Sequence, residues 1–98
     1  MATYIAALKF TPQGITKYQD TCKRAAAFKE AARKLGGKVT HEFWTLGAFD
    51  GVVIFEAPDD DTATALMLRL GSLGFVQTQT ARAFTAAEME KILAAAAK

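Results

Sequence analysis

Four consecutive residues, Val52-Val53-Ile54-Phe55, are all apolar and are bracketed by Asp50-Gly51 and Glu56-Ala57-Pro58. A short segment of β-branched and aromatic residues closed by a proline reads as a strand. Successive side chains on a strand point to opposite faces, so an unbroken apolar run demands cover on both. Thr3 to Phe10 makes the same demand. Tyr4, Ala6, Leu8 and Phe10 form one face, Thr3, Ile5, Ala7 and Lys9 the other, and both are mainly apolar. Any fold for this chain must bury two strands from both sides.

The material for doing so is one domain's worth, 98 residues, of which 51% are hydrophobic and 22% charged. That content excludes a disordered tail. No apolar run approaches the roughly 20 residues that span a bilayer, and Met1-Ala2-Thr3-Tyr4 does not open a signal peptide. The expectation is a single domain over residues 1–98, cytoplasmic, without a membrane partner.

We label the strands β1 (Thr3–Phe10), β2 (Lys38–Thr45), β3 (Asp50–Glu56) and β4 (Phe75–Phe84). Thr11-Pro12-Gln13-Gly14 reads as a turn after β1, and residues 15–19 as a short turn of helix. A longer helix capped by Asp20 or Thr21 runs to about Leu35, with Ala25, Phe28, Ala32 and Leu35 on one stripe. Gly36-Gly37 ends it. In β2, strict alternation places Val39, His41, Phe43 and Thr45 on one face and Thr40, Glu42 and Trp44 on the other. Leu46-Gly47-Ala48-Phe49 is a hairpin-sized connection.

Asp59-Asp60-Asp61 opens a second helix over 60–72, where carboxylates meet orphan N–H groups; a hard-cation site would need more converging oxygens. Ala63, Leu66, Met67 and Leu70 form its stripe, yet Ala65 and Leu68 beside them are also apolar, so this helix is expected to be covered on more than one side. Thr85-Ala86-Ala87-Glu88 is a capping box that starts a third helix, with Met89, Ile92, Leu93 and Ala96 on one face.

The order is β-α-β-β-α-β-α. Its first six elements form the ferredoxin-like split βαβ pattern, an α+β fold with a four-stranded antiparallel sheet and a C-terminal helix added. Right-handed crossovers put the first two helices on the same side of the sheet. They cover one face only, and an apolar sheet face of this size is not left in water. The pattern therefore points to a homodimer or higher homo-oligomer in which two sheets pack face to face. The third helix then caps the sheet edge or reaches the partner.

The formal charge is +2, too weak to imply a nucleic-acid partner. It divides unevenly: residues 1–49 carry eight basic and three acidic side chains, residues 50–98 four basic and seven acidic. Cys22 is the only cysteine, so no intrachain disulfide can form. Neither C-x-x-C nor H-E-x-x-H occurs, so a structural zinc site is not expected. Neither G-x-S-x-G nor a nucleotide-binding glycine loop is present, and no cofactor is implied.

What remains are strand-borne charges. Period two puts Asp50, Val52, Ile54 and Glu56 on one face of β3. Glu56 or Asp50 is the candidate general base if burial raises its pKa, with His41 as a helper. The competing reading is a structural ion pair, with Arg24 and Arg82 as counter-ions. Arg24, Arg82, Trp44 and Phe49 are the candidates for holding a small molecule, the arginines fixing an acidic group and aromatics filling the rest. Trp44, Phe43, Phe49 and Tyr4 are equally suited to a core or dimer interface.

Several segments occur together in a familiar order. They are Thr11-Pro12-Gln13-Gly14-Ile15, then Lys34-Leu35-Gly36-Gly37-Lys38-Val39, and Phe43-Trp44-Thr45-Leu46-Gly47-Ala48-Phe49-Asp50. Glu56-Ala57-Pro58-Asp59, Ser72-Leu73-Gly74 and Thr78-Gln79-Thr80-Ala81-Arg82-Ala83-Phe84-Thr85 follow. Together they resemble the GYD-domain family of small bacterial and archaeal proteins, over nearly the whole chain. Phe49 stands where the family's tyrosine is expected, so a phenol is lost. The resemblance implies a ferredoxin-like, dimeric α/β-barrel fold, a class that hosts enzymes and pure binding modules alike. Three functions are compatible with these residues: an oligomeric protein binding a small molecule between sheet and helices, a cofactor-independent enzyme using a strand carboxylate, and a structural assembly unit.

Overall fold

A computed structural model describes residues 1–98. The elements are β1 (Ala2–Phe10), α1 (Pro12–Thr16), a 3-10 turn (Tyr18–Asp20), α2 (Thr21–Lys34), β2 (Lys38–Trp44), β3 (Gly51–Ala57), α3 (Asp60–Ser72), β4 (Val76–Ala83) and α4 (Ala86–Ala96). The sheet order is β2-β3-β1-β4, with every neighbouring pair antiparallel. This is the ferredoxin-like arrangement with an extra C-terminal helix.

The core lies between one sheet face and α2 and α3. Tyr4 and Ala6 of β1 stand opposite Phe55 and Val53 of β3. All four are buried, together with Phe28, Ala31 and Ala32 of α2 and Ala63 and Leu66 of α3. The Tyr4 and Phe55 rings stack at 5.3 Å, and Phe28 meets Phe55 edge-on at 6.0 Å. Aromatic pairs favour these two geometries over a face-to-face sandwich. Phe55 and Leu66 are the largest side chains sealed completely from solvent.

Polar contacts fix the helix starts. The Asp59 side chain accepts from the Thr62 amide at 2.8 Å and caps α3, which holds its carboxyl below the usual range. The Tyr4 hydroxyl donates to Asp60 Oδ1 at 2.5 Å and ties β1 to the same helix end. The acidic run therefore serves as helix cap and tether. Thr85 and Glu88 form the full capping box at α4. At Gly14 a Cβ would fall 1.8 Å from the Phe75 carbonyl oxygen, so only glycine lets α1 lie against the start of β4.

Three local readings of the sequence need correction. First, Thr11-Pro12-Gln13-Gly14 is not a simple turn: Thr11 Oγ1 accepts from the Gly14 amide, Pro12 takes the first turn, and α1 begins there. Second, β2 does not alternate strictly. A bulge between Val39 and His41 resets the register, so that Val39 pairs with Phe55 while Glu42 pairs with Val53 and Trp44 with Gly51. Opposed residues share a face, so Glu42 and Trp44 join Val39 on the helix side, and His41 and Phe43 turn to the other. Third, Asp50 precedes β3 and does not share the face of Val52, Ile54 and Glu56 in a ladder; its Oδ2 accepts the Phe10 amide at 2.8 Å.

The second sheet face has no cover within the chain. Ile5 is 40% exposed and Phe43 54%, with Val52 and Ile54 half-buried between them. Nor does α4 pack: it buries no residue, and Met89, Ile92 and Leu93 face solvent. The molecule is correspondingly long, 52 × 31 × 19 Å, with a radius of gyration of 14.8 Å, against about 13 Å for a compact chain of this length.

Two outcomes follow from this packing. Leu66→Ala is expected to cost about 2–5 kcal/mol in urea unfolding, whereas Leu68→Ala, at a side chain 69% exposed, should stay within about 0.5 kcal/mol. Burial and Asp60 push the Tyr4 hydroxyl from 10.0 up to about 12. The folded state then keeps a proton that the unfolded chain releases, so this contribution is complete below pH 10 and is lost as pH rises toward 12. Thermal unfolding of wild type and Tyr4→Phe should show the wild type losing stability more steeply over that window; parallel curves would contradict it.

Candidate functional site

Two hollows gather charged and aromatic side chains: a wide groove of about 450 Å³ between α3 and β4, lined by Tyr4, Asp60 and Arg82 among others, and a narrower cleft that holds the larger set. The cleft lies between the start of α2, the β2–β3–β1 end of the covered sheet face and the end of α3, and it is lined by Phe10, Arg24, Phe28, Glu42, Trp44, Asp50 and Phe75 among others. Its free volume is about 70 Å³. The elements deliver these groups for local reasons. Arg24 stands one turn into α2, the bulge turns Glu42 and Trp44 inward, and β4 follows Phe75 directly.

Arg24 is held from two sides. Its Nη1 donates to the Lys17 carbonyl at 3.0 Å, and its guanidinium lies over the Phe75 ring, 4.5 Å from the centroid. Its Nη2 is buried and has no hydrogen-bond partner. A charged donor left unpaired away from water carries a desolvation cost of several kcal/mol in order of magnitude. Glu42 is half-buried in the same cleft, and burial raises its carboxyl pKa, with Lys29 opposing. The two do not pair: the ion pairs of the chain are Arg33–Glu30 and Arg82–Glu88. Asp50 spends one oxygen on the Phe10 amide. Trp44 Nε1 donates to Thr21 Oγ1 at 3.0 Å and fastens β2 to the start of α2.

Of the residues singled out in the sequence, Arg24, Trp44 and Asp50 meet here. Arg82 does not. It sits beyond the other side of β1, over the rings of Tyr4 and Phe84, donating to the Thr3 and Ala83 carbonyls and to Glu88. It braces the start of α4. Glu56 lies opposite Lys38 and Thr3 on the uncovered face. His41 is on that face too, stacked on Phe43 at 6.0 Å with Nδ1 against Thr40 Oγ1. Glu56, Asp50 and His41 thus occupy separate places and form no acid–base pair. Phe49 is half-buried in the β2–β3 connection, its carbonyl accepting from Thr45 Oγ1, and is not among the cleft's lining residues.

Sequence reasoning misses Glu42 and Phe75 as site residues. Strict alternation sets Glu42 opposite Val39, and only the bulge brings it inside. Phe75 belongs to a connection whose path depends on the Gly14 contact. No three His, Cys, Asp or Glu side chains converge to hold a metal ion, and no helix is long and apolar enough to cross a membrane.

Comparison with known proteins agrees with this architecture. The GYD-domain family model matches residues 4–93. A Thermus thermophilus protein described as a glutamine synthetase and cystathionine beta-lyase binding protein is 32% identical over 92 residues, covering 91% of this chain and 95% of its own. The crystal structure of a Thermus thermophilus protein superposes with a TM-score of 0.56 at 23% identity, over 88% of this chain and 96% of that one. The crystal structure of MtbAldR superposes with a TM-score of 0.61 at 12% identity, over 86% of this chain and 53% of that one. At these identities the two structures speak for the fold alone.

The raised pKa of Glu42 gives a sign that can be checked. A carboxyl whose folded pKa exceeds its unfolded value supports the fold only while protonated, and that support is lost as pH rises through the folded pKa. Glu42→Gln should therefore melt higher than wild type at pH 7, and the gap should close near pH 3.5. An equal or lower melting temperature at pH 7 would show that the Glu42 charge is compensated.

Proposed function

The chain belongs to the GYD-domain family, and we propose that it is a homo-oligomeric binding protein that works by holding other proteins, not by turning over a substrate. One observation carries the reading: the apolar sheet face of Ile5, Val52, Ile54 and Phe43 and the apolar side of α4 are both left without cover inside the chain. A second copy covers the first surface when two such sheets meet face to face, giving the dimeric α/β barrel. The contact is self-complementary, as a two-fold interface must be. Lys38 and Glu56, opposite one another at the rim of that face, supply both charges for its edge. The amphipathic α4 then either reaches across the dimer or offers Met89, Ile92 and Leu93 to a partner, in the manner of a helix laid in a groove. The Thermus relative's description as a binding protein for two enzymes supports partners of this kind.

A second reading concerns the cleft. The unpartnered Nη2 of Arg24 supports binding of a small acid there, alongside the protein-binding role. The free volume of about 70 Å³ is well below the roughly 300 Å³ of a pocket for a drug-sized ligand, so the molecule would be small.

The protein-binding reading is tested with glutamine synthetase and cystathionine beta-lyase purified from the same host. Surface plasmon resonance should detect binding of the wild-type chain to at least one of them. A Met89→Ser/Leu93→Ser variant should weaken it tenfold or more with the fold intact by circular dichroism. Absence of binding to either enzyme, or equal binding by the variant, would overturn the assignment of these partners or of α4 as their contact.

A further inference from the structure

The cleft holds two opposite charges that do not meet. Arg24 presents a buried Nη2 with no acceptor, and Glu42 makes no ion pair and no side-chain hydrogen bond. In a low-dielectric setting two opposite charges that can reach one another pair, because the unpaired state leaves each desolvated without compensation. Here each is held away by its own element. Arg24 is anchored by the Lys17 carbonyl and the Phe75 ring, and Glu42 is fixed by its register opposite Val53. The rest of the wall is mainly apolar, with the rings of Phe10, Phe28 and Trp44 beside aliphatic side chains such as Leu8 and Leu70.

We propose that this cleft binds a small zwitterion, its carboxylate on Arg24 and its ammonium on Glu42, as a small α-amino acid would provide. This rests on the small-molecule reading of the cleft and narrows it to one chemical class. A guanidinium N–H with no partner is matched by a carboxylate oxygen, and a half-buried carboxylate by an ammonium. A ligand bearing only one of these groups leaves the other side chain without a direct partner, since Lys29 acts on Glu42 only from beyond ion-pair distance. Size agrees: with about 10–15 Å³ of free volume per water, a space of about 70 Å³ takes roughly five to seven water-sized atoms, and alanine falls in that range. Asp50 is less suited to the ammonium, because one of its oxygens already serves the Phe10 amide.

Trp44 lines the cleft and is the only tryptophan of the chain, so its fluorescence reports occupancy directly. The full chain is titrated with L-alanine, propionate and ethylamine, and the same samples are followed by saturation-transfer NMR in case the indole is silent. L-Alanine should bind saturably and at least tenfold more tightly than propionate or ethylamine. Arg24→Gln should weaken alanine at least tenfold, and Glu42→Gln should reduce alanine to the level of propionate, with both variants folded by circular dichroism. Propionate binding as tightly as alanine would overturn the zwitterion assignment and leave the small-molecule reading standing. No saturable response to any of the three by either method would overturn both.

Discussion

The two central strands carry apolar side chains on both faces, while the chain supplies helices for only one. Tyr4, Ala6, Val53 and Phe55 disappear beneath α2 and α3. The alternate residues, Ile5, Val52 and Ile54, are left exposed or half-buried, with no helix packed over them. The other features follow from this imbalance. The helices crowd one side, so the cleft forms there, and β4 keeps its helix-side face of Thr78, Thr80 and Arg82 lightly covered. The C-terminal helix finds no place on the body and extends the molecule. A second copy is the proposed cover for the open face. It converts an apolar surface that would otherwise promote aggregation into an interface.

The cleft draws its chemistry from the same layout. Phe10 and Trp44 stand at the ends of β1 and β2 and line the cleft together with Arg24. The arginine is restrained by the Lys17 carbonyl and Phe75, not by a carboxylate. An arrangement that fixes a cation and leaves one of its donors unsatisfied costs stability in the free chain. Such a cost is regained when a ligand supplies the missing acceptor. Glu42, desolvated and unpaired, repeats this with the opposite sign.

Much of the architecture was legible because it rests on periodicity and punctuation. The apolar run of β3, the capping box at Thr85 and the Gly36-Gly37 stop are local signals, and each marks an element where it occurs. The site was legible only in part. Arg24, Trp44 and Asp50 could be singled out as charges and a ring without a backbone explanation. The bulge at Thr40 could not be read from alternation, and it alone decides that Glu42 faces the cleft and His41 does not. Arg24 and Arg82 looked like counter-ions for Asp50 or Glu56 for want of other partners. The true surroundings, Glu88 and the Tyr4 and Phe84 rings for Arg82, Lys38 and Thr3 for Glu56, depend on long-range register. Gly14 shows the same limit: its need for glycine comes from a carbonyl 61 positions along the chain, at Phe75.

The oligomeric claim is tested most directly by sedimentation equilibrium of the unmodified chain at micromolar concentration, with an Ile54→Lys variant run beside it. A mass of about 21 kDa or a higher multiple is expected for the wild type, against 10.5 kDa for one chain, and the variant should fall to the single-chain mass because a buried lysine at the centre of the interface has no partner. A wild-type mass of 10.5 kDa across the concentration range would contradict the proposal that this sheet is completed by a second copy.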